Sequence, residues 1–273
     1  MEEIIIKLSC NTNSRHFNEI RCYIYDIVTS TNIKAWELCK KNIEKPFVVV
    51  ATQQTAGKGQ RGNSWQSSLG GLYLTVVLSP EMVFTNINHL TLFCGVGIAE
   101  ELNKYNVPIQ IKWLNDLILD NKKVGGILSE VSSQNGMINN AIIGVGINWK
   151  NQIYLDNSVS LDSYIKKTKN YLINSYNDLL NIIIKGIFTG YNDYIEKGGH
   201  IFIDKYNQYL VYQGKPVIYE GIEGFVLGID ENGNLIVKFS SKGASSRVIF
   251  SPIEYGITPY NESEISKIFE RFT

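Results

Sequence analysis

Cysteine and histidine are sparse in this chain, and neither is clustered. The four cysteines (Cys10, Cys22, Cys39, Cys94) are scattered without close pairing, and the three histidines (His16, His89, His200) are equally dispersed. That pattern argues against a disulfide scaffold and against a metal site built from Cys and His, and it fits a reducing cytoplasm. No apolar run is long enough to span a membrane. The N-terminus, MEEIIIKLSC, carries acidic residues where a secretory signal needs basic ones. These absences lead to the expectation of a soluble, cytoplasmic protein with no membrane partner. Net charge is absent too: 26 Lys and Arg balance 26 Asp and Glu. General attraction to a polyanion is therefore not implied, and any nucleotide binding must draw on local charge. There is no internal repeat and no low-complexity tract.

What is present is a core and an unusual loop. The 273 residues, 44% of them hydrophobic, suit one large domain, or a domain with a small satellite. From Ala51 to Trp65 the chain reads ATQQTAGKGQRGNSW. Gly57, Gly59 and Gly62 allow close backbone approach to a ligand, and Lys58 and Arg61 sit between them. No acidic residue occurs from Pro46 to Pro80, so these cations are unopposed in sequence. Apolar runs at Phe47–Ala51 and Leu72–Leu78 flank the loop and read as buried strands. Backbone N–H groups in a long glycine-rich loop form concavities that hold phosphate oxygens. The pattern is not a P-loop, because no Gly-Lys is followed by Ser or Thr.

The remaining chain frames that loop. Ile4–Leu8 is a candidate edge strand, Asn11–Ser14 is turn-like, and Cys22–Val28 reads as a strand. Thr29-Ser30-Thr31-Asn32 either caps a helix carrying Ile33, Trp36, Cys39 and Ile43 on one side, or points hydroxyls and an amide into a pocket. Glu37 and Lys41 are an expected ion pair on its exposed side. Asn88–Tyr105 reads as a buried helix and Val107–Trp113 as a strand. Asp120-Asn121 is a turn signal inside a hairpin that sets Lys112, Asn115 and Asp116 at one strand end and Lys123 just beyond the turn. Gly125-Gly126 within an apolar run suggests close approach by a ligand or another backbone. Ala141–Asn148 is a further strand, with Asn148 at its carboxyl end, where open α/β sheets place ligands. A polar, irregular stretch follows to Asp162. A long amphipathic helix is then marked by Leu172, Tyr176, Leu179, Ile183 and Ile187, and a shorter one runs from His200 to Leu210. After Tyr212 short β runs and an Asn232-Gly233 hairpin signal suggest a small barrel. The expected domains are residues 1–212 and 213–273.

Taken together, these segments resemble the biotin protein ligases. The resemblance rests on Ser30-Thr31-Asn32; Gln54 with Ala56–Gly62 and Trp65; Lys112-Trp113-Leu114-Asn115-Asp116; Lys123 with Gly125–Leu128; and Gly144–Asn148. It implies a mixed-sheet α/β (α+β) catalytic domain flanked by helices, followed by a small SH3-like β-barrel. It also implies a two-step reaction. Biotin's carboxylate attacks the α-phosphate of ATP to give biotinoyl-5′-AMP and pyrophosphate, and a lysine on a biotin carboxyl carrier domain then displaces AMP.

By this resemblance Lys123, Lys58, Asp116 and Lys112 are the catalytic candidates. Ser30, Thr31, Asn32, Gln54, Gly57, Lys58, Gly59, Gln60, Lys123 and Gly126 would contact biotin. Arg61, Trp65, Lys112, Asn115 and Asn148 would contact ATP or the adenylate. Asp116 and Asn148 would orient Mg²⁺, although Asp116 could instead help deprotonate the incoming lysine. Lys58 and Gln60 stand where family members carry Arg, and lysine keeps the charge without bidentate geometry. Leu114 replaces the family's usual Pro. Because only about twenty residues precede these motifs, fewer than the ~40 an independent domain usually needs, no DNA binding is expected. The family includes monomers and homodimers. Two rivals remain. A lipoate or octanoate ligase shares the superfamily, but its long arginine–glycine motif is not found here. A non-catalytic nucleotide-binding scaffold would not need Lys112, Asp116 and Lys123.

Overall fold

The computed structural model describes residues 2–7, 19–80, 82–83, 87–219, 222–241 and 244–250. The turn expected at Asn11–Ser14 and residues 251–273 lie outside that set. The chain opens with β1 (Glu2–Lys7), which pairs antiparallel with β2 (Glu19–Val28) at the sheet edge. Helix α1 (Thr31–Lys40) crosses to β3 (Phe47–Gln54), which runs parallel to β2. Next come β4 (Leu72–Leu78), α2 (Ile87–Asn103), β5 (Gln110–Lys112), β6 (Asp116–Leu119), β7 (Lys122–Gln134) and β8 (Met137–Ile147). The eight strands form one mixed sheet in the order β1-β2-β3-β4-β8-β7-β6-β5.

The continuous apolar runs of β3 and β4 follow from burial on both faces. Val48, Val50, Leu74 and Val76 pack on one side in the large core shared with α2 and with α4 (Tyr176–Lys197), which follows α3 (Leu161–Thr168). Phe47, Val49, Val77 and Ile142 face the other side, beneath Ala35 and Leu38 of α1. Helices α2 and α4 cross at glycines: a Cβ on Gly97 would sit 2.0 Å from the Gly186 carbonyl oxygen, so only glycine admits this approach. Helix α4 starts with a reciprocal cap, in which Ser175 Oγ accepts from Asp178 N–H and Asp178 accepts from Ser175 N–H, each at 3.0 Å.

Helix α5 (Gly199–Tyr209) leads to β9 (Pro216–Tyr219), β10 (Ile222–Ile229), β11 (Leu235–Ser241) and β12 (Ala244–Phe250), a four-stranded antiparallel meander. Its β10–β11 turn is gripped through main-chain oxygens. His89 Nε2 donates to Glu231 O (2.8 Å), Asn88 Nδ2 to Asn232 O (3.1 Å) and Trp113 Nε1 to Gly233 O (2.9 Å).

Several local expectations need correction. Thr31, Asn32, Ala35 and Leu38 are the buried face of α1, whereas Ile33, Trp36 and Cys39 are half-buried. Packing against the sheet follows Ala35 and Leu38, because the first helical turn carries its polar residues inward. Glu37 pairs with Lys34, one turn back, rather than with Lys41. Strand β7 runs on to Gln134 and turns through Asn135 (φ 53°) and Gly136 (φ 76°) into β8. That Asn-Gly pair is a strong hairpin signal. Helix α3, capped by Ser160, begins inside the tail of the stretch expected to be irregular.

Candidate active site

Strand alternation decides what faces α1. On β8 that face carries Ile142, Gly144 and Gly146; on β7 it carries Gly126, Leu128 and Glu130; on β4 it carries Thr75. Helix α1 covers Ile142 and stops. Beyond its N-terminus the sheet surface is nearly bare backbone at Gly126 and Gly146, with Gly144 at the edge beneath Asn32, and this is the floor of a cavity.

One wall is the start of α1 and the end of β3. Ser30 occupies the N-cap position, yet its side chain makes no capping hydrogen bond; it lines the cavity instead. Thr31 donates through both N–H (2.8 Å) and Oγ1 (3.2 Å) to Gln54 Oε1. Gln54 Nε2 donates to Ser67 Oγ at 2.7 Å, and Ser67 Oγ donates to Trp65 O at 3.1 Å. Asn32 also lines the cavity, but its amide is already engaged: Oδ1 accepts from Thr75 Oγ1 at 2.7 Å and Nδ2 donates to Glu130 at 3.2 Å.

The glycine loop forms the overhang. It folds into a small hairpin, with Trp65 N–H bonded to Gly57 O (2.9 Å) and Gly59 N–H to Asn63 O (2.7 Å). Its tip, Gln60–Gly62, places Arg61 in the left-handed region (φ 57°, ψ 34°). Lys58 and Arg61 are exposed along the cavity, while Gly59 and Gln60 line it half-buried. Gly57 does not line it. A Cβ there would fall 2.5 Å from both Ser67 Oγ and Trp65 O, so its role is to let the loop close on Gln54.

The hairpin returns Trp65 across the glycine floor. A Cβ on Gly146 would lie 2.5 Å from the indole Nε1, and one on Gly126 would lie 3.4 Å from the ring. Lys123 Nζ sits 5.2 Å from the Trp65 ring centroid and 2.6 Å from Asp116 Oδ1. Lys112 pairs in register with Asp116 across β5 and β6 and also lines the cavity. Asn115 is tied to β7 in both directions, donating from Nδ2 to Ile127 O and accepting from Ile127 N–H, each at 2.9 Å.

The cavity thus draws Lys58, Arg61, Lys112 and Lys123 to one place, against one carboxylate among the described residues, that of Asp116. A chain neutral by count has concentrated positive charge where an anion can enter. Of the residues singled out from sequence, Gly57 and Asn148 fall outside this lining. Asn148 is buried, and its Oδ1 accepts from Asn151 Nδ2 at 3.2 Å. Among the described residues there is no group of three or more His, Cys, Asp or Glu that could hold a metal ion. No described cysteine lines the cavity, and burial pushes the Cys22 thiol up to about 12 and holds the Cys94 thiol well above its ordinary value. Ser67, which orients Gln54, and Gly144 and Gly146, which supply the floor, were not among the expected site residues. Ser67 has no motif to mark it, whereas paired glycines inside a strand are a legible signal.

All cavity-lining residues lie between Ser30 and Gly146, and residues 24–148 match the Biotin/lipoate A/B protein ligase family. The chain is 33% identical over 130 residues to the bifunctional ligase/repressor BirA of Bacillus subtilis, an alignment spanning 47% of this chain and 40% of that protein. It is 31% identical over 122 residues to the biotin--[acetyl-CoA-carboxylase] ligase of Paracoccus denitrificans, spanning 44% of this chain and 50% of the relative. The chain therefore matches about half or less of the length of these curated relatives. Among solved structures, the biotin protein ligase from Aquifex aeolicus in complex with biotin and ATP superposes with a TM-score of 0.66 and 28% identity, covering 84% of this chain and 98% of that one. The fold is thus the mixed-sheet α+β architecture of biotin protein ligases, with a small antiparallel sheet at its C-terminal end.

Proposed function

We propose that this protein is a biotin–protein ligase, which activates biotin with ATP and transfers it to a lysine of a biotin carboxyl carrier domain. The observation that carries this reading is the convergence of four cations from three separate segments on one cavity that also offers hydroxyl and amide groups. Bringing a carboxylate against a triphosphate requires its repulsion to be neutralised and its geometry fixed. In the first step a carboxylate oxygen of biotin bonds to the α-phosphorus and pyrophosphate leaves. Lys123, already oriented by Asp116 and Trp65, is placed to meet the carboxylate and the phosphoryl oxygens. Lys58, Arg61 and Lys112 supply further charge to the phosphates. In the second step the carrier's amine forms the amide bond, AMP leaves, and Asp116 is the lining carboxylate that can take the released proton.

Mg²⁺ suits this donor set only as a passenger on the triphosphate, with Asp116 as its protein contact, since Mg²⁺ commonly uses one or two carboxylates plus substrate phosphates and waters. Asn148, engaged by Asn151, is not part of that contact. Residues 1–212 act as the catalytic unit in this reading and 213–273 as an appended one.

The polar wall separates biotin from lipoate. A ureido ring needs donors and acceptors together, and Ser30, Thr31 and Gln54 provide both. An apolar dithiolane or octanoyl chain would leave those groups unmatched. The test is pyrophosphate release from ATP with biotin, lipoate or octanoate in parallel. Release with biotin alone is the expected result, and release with lipoate but not biotin overturns the proposal.

A further inference from the structure

The first turn of α1 carries the hydroxyl wall, yet little apolar packing fixes its position. Of the helix's residues, Ala35 and Leu38 are buried in the apolar cluster on this face and Trp36 and Cys39 pack against it, all beyond the first turn, and Ser30 contributes no side-chain cap bond. Polar anchors hold the turn instead. Asn32 Oδ1 accepts from Thr75 Oγ1 of β4, and the side chain fills a notch at Gly144, where a Cβ would come within 2.4 Å of that oxygen. The other half of the anchor is Glu130 on β7. Its Oε2 accepts from Asn32 Nδ2 at 3.2 Å and from Trp36 Nε1 at 3.0 Å. Asn32 and Trp36 are four residues apart, one helical turn, so a single carboxylate oxygen clamps two successive levels of α1.

Glu130 does not line the cavity. It shares the α1-facing side of β7 with Gly126, which does. We propose that Glu130 is a positioning residue for the biotin site, setting the height and rotation of α1 so that Ser30 and Thr31 meet the ligand's polar head; this rests on the biotin-ligase reading above. Asn32 is 3% exposed. Without the carboxylate its Nδ2 keeps only a 3.5 Å contact with Leu128 O, and a buried donor left so poorly matched drives its surroundings to shift. Ser30 and Thr31 are the immediate chain neighbours of Asn32 and shift with it. Contacts to a substrate region remote from the reacting atoms are lost as uniform binding, which raises KM for that substrate and leaves kcat in place.

The experiment compares Glu130→Ala, Glu130→Gln and Glu130→Asp with wild type in steady-state pyrophosphate release, titrating biotin and ATP separately, with a melting curve for each. Glu130→Ala is expected to raise the biotin KM about tenfold while the ATP KM stays within about twofold. Glu130→Gln keeps an oxygen that accepts from both donors and is expected to restore the biotin KM to within about threefold of wild type. Glu130→Asp, one methylene short, is expected to fall between them and remains informative if the alanine variant does not fold. A wild-type biotin KM in the alanine or aspartate variant overturns the proposal. So does a proportional rise in both KM values that glutamine fails to rescue, which is the mark of a general brace. Wild-type protein that releases no pyrophosphate with biotin overturns the ligase reading itself, whereas an active wild type with indifferent variants overturns only the role of Glu130.

Discussion

On one side of the cavity, beside Ser30, Thr31 and Gln54 belong to a continuous run of hydrogen bonds that passes through Ser67 to the main chain at Trp65. On the other, Lys58 and Arg61 project from an exposed hairpin tip. The two sides meet different physical demands. Recognition of a neutral polar head depends on directional contacts and fails with small displacements, so its groups are locked before the ligand arrives. Neutralising a triphosphate relies on charge, which acts over distance and tolerates motion. Lys123 lies between these regimes: it carries charge like the rim but is held in place by Asp116 and Trp65.

The strongest way to break this contrast is to remove the residue that joins both sides. Lys123→Ala is expected to lower biotin-dependent pyrophosphate release by about 10²–10³-fold, with circular dichroism unchanged; full activity would leave the cationic side without a function. Gly146→Ala sets a Cβ 2.5 Å from the Trp65 indole and should displace the ring from its floor. The expected result is about a tenfold rise in ATP KM together with altered tryptophan fluorescence. Ser67→Ala tests the locked side alone. Gln54 Nε2 then loses its acceptor, and biotin KM should rise about fivefold with ATP KM steady. Equal effects on both substrates would erase the distinction between the walls. Arg61→Ala tests the exposed side, with an expected loss of about threefold at low salt that vanishes in high salt. A salt-independent loss would show that Arg61 makes a buried contact after all.

The smallest expected effect concerns pH. Burial lowers the pKa of His89 below its ordinary 6.5, and the ring is held neutral with Nε2 donating to Glu231 O and Nδ1 accepting from the Tyr194 hydroxyl at 2.7 Å. The unfolded chain therefore binds this proton more readily than the folded one. Stability linked to His89 is complete above pH 6.5, declines as pH falls through the window between 6.5 and the lowered value, and levels off below it. His89→Gln should flatten that part of the melting-temperature profile; an unchanged slope would remove His89 as its source.

Much of this architecture was readable from residue patterns. Phe47–Ala51 and Leu72–Leu78 announced buried strands because both faces of the sheet are covered. The cations at Lys58, Arg61, Lys112 and Lys123 stood out because glycine or turn residues flank three of them and Asp116 lies near the other. The buried face of α1 was misread because periodicity counts apolar residues, while this helix turns Thr31 and Asn32 inward to meet Gln54 and Thr75. Asn148 sits at a strand end, as expected, but side-chain direction is a property of the neighbouring loop, where Asn151 engages it. Ser67 and Glu130 act by supporting other residues, and no local spacing marks such partners.

The grip on the β10–β11 turn carries a consequence of its own. His89, Asn88 and Trp113 all reach carbonyl oxygens, so what they read is curvature rather than residue identity. These three contacts therefore survive a change of side chain at 231 or 232 as long as the turn keeps its shape. Deleting the meander would have the opposite effect, stripping Trp113 of its acceptor at the wall of the cavity.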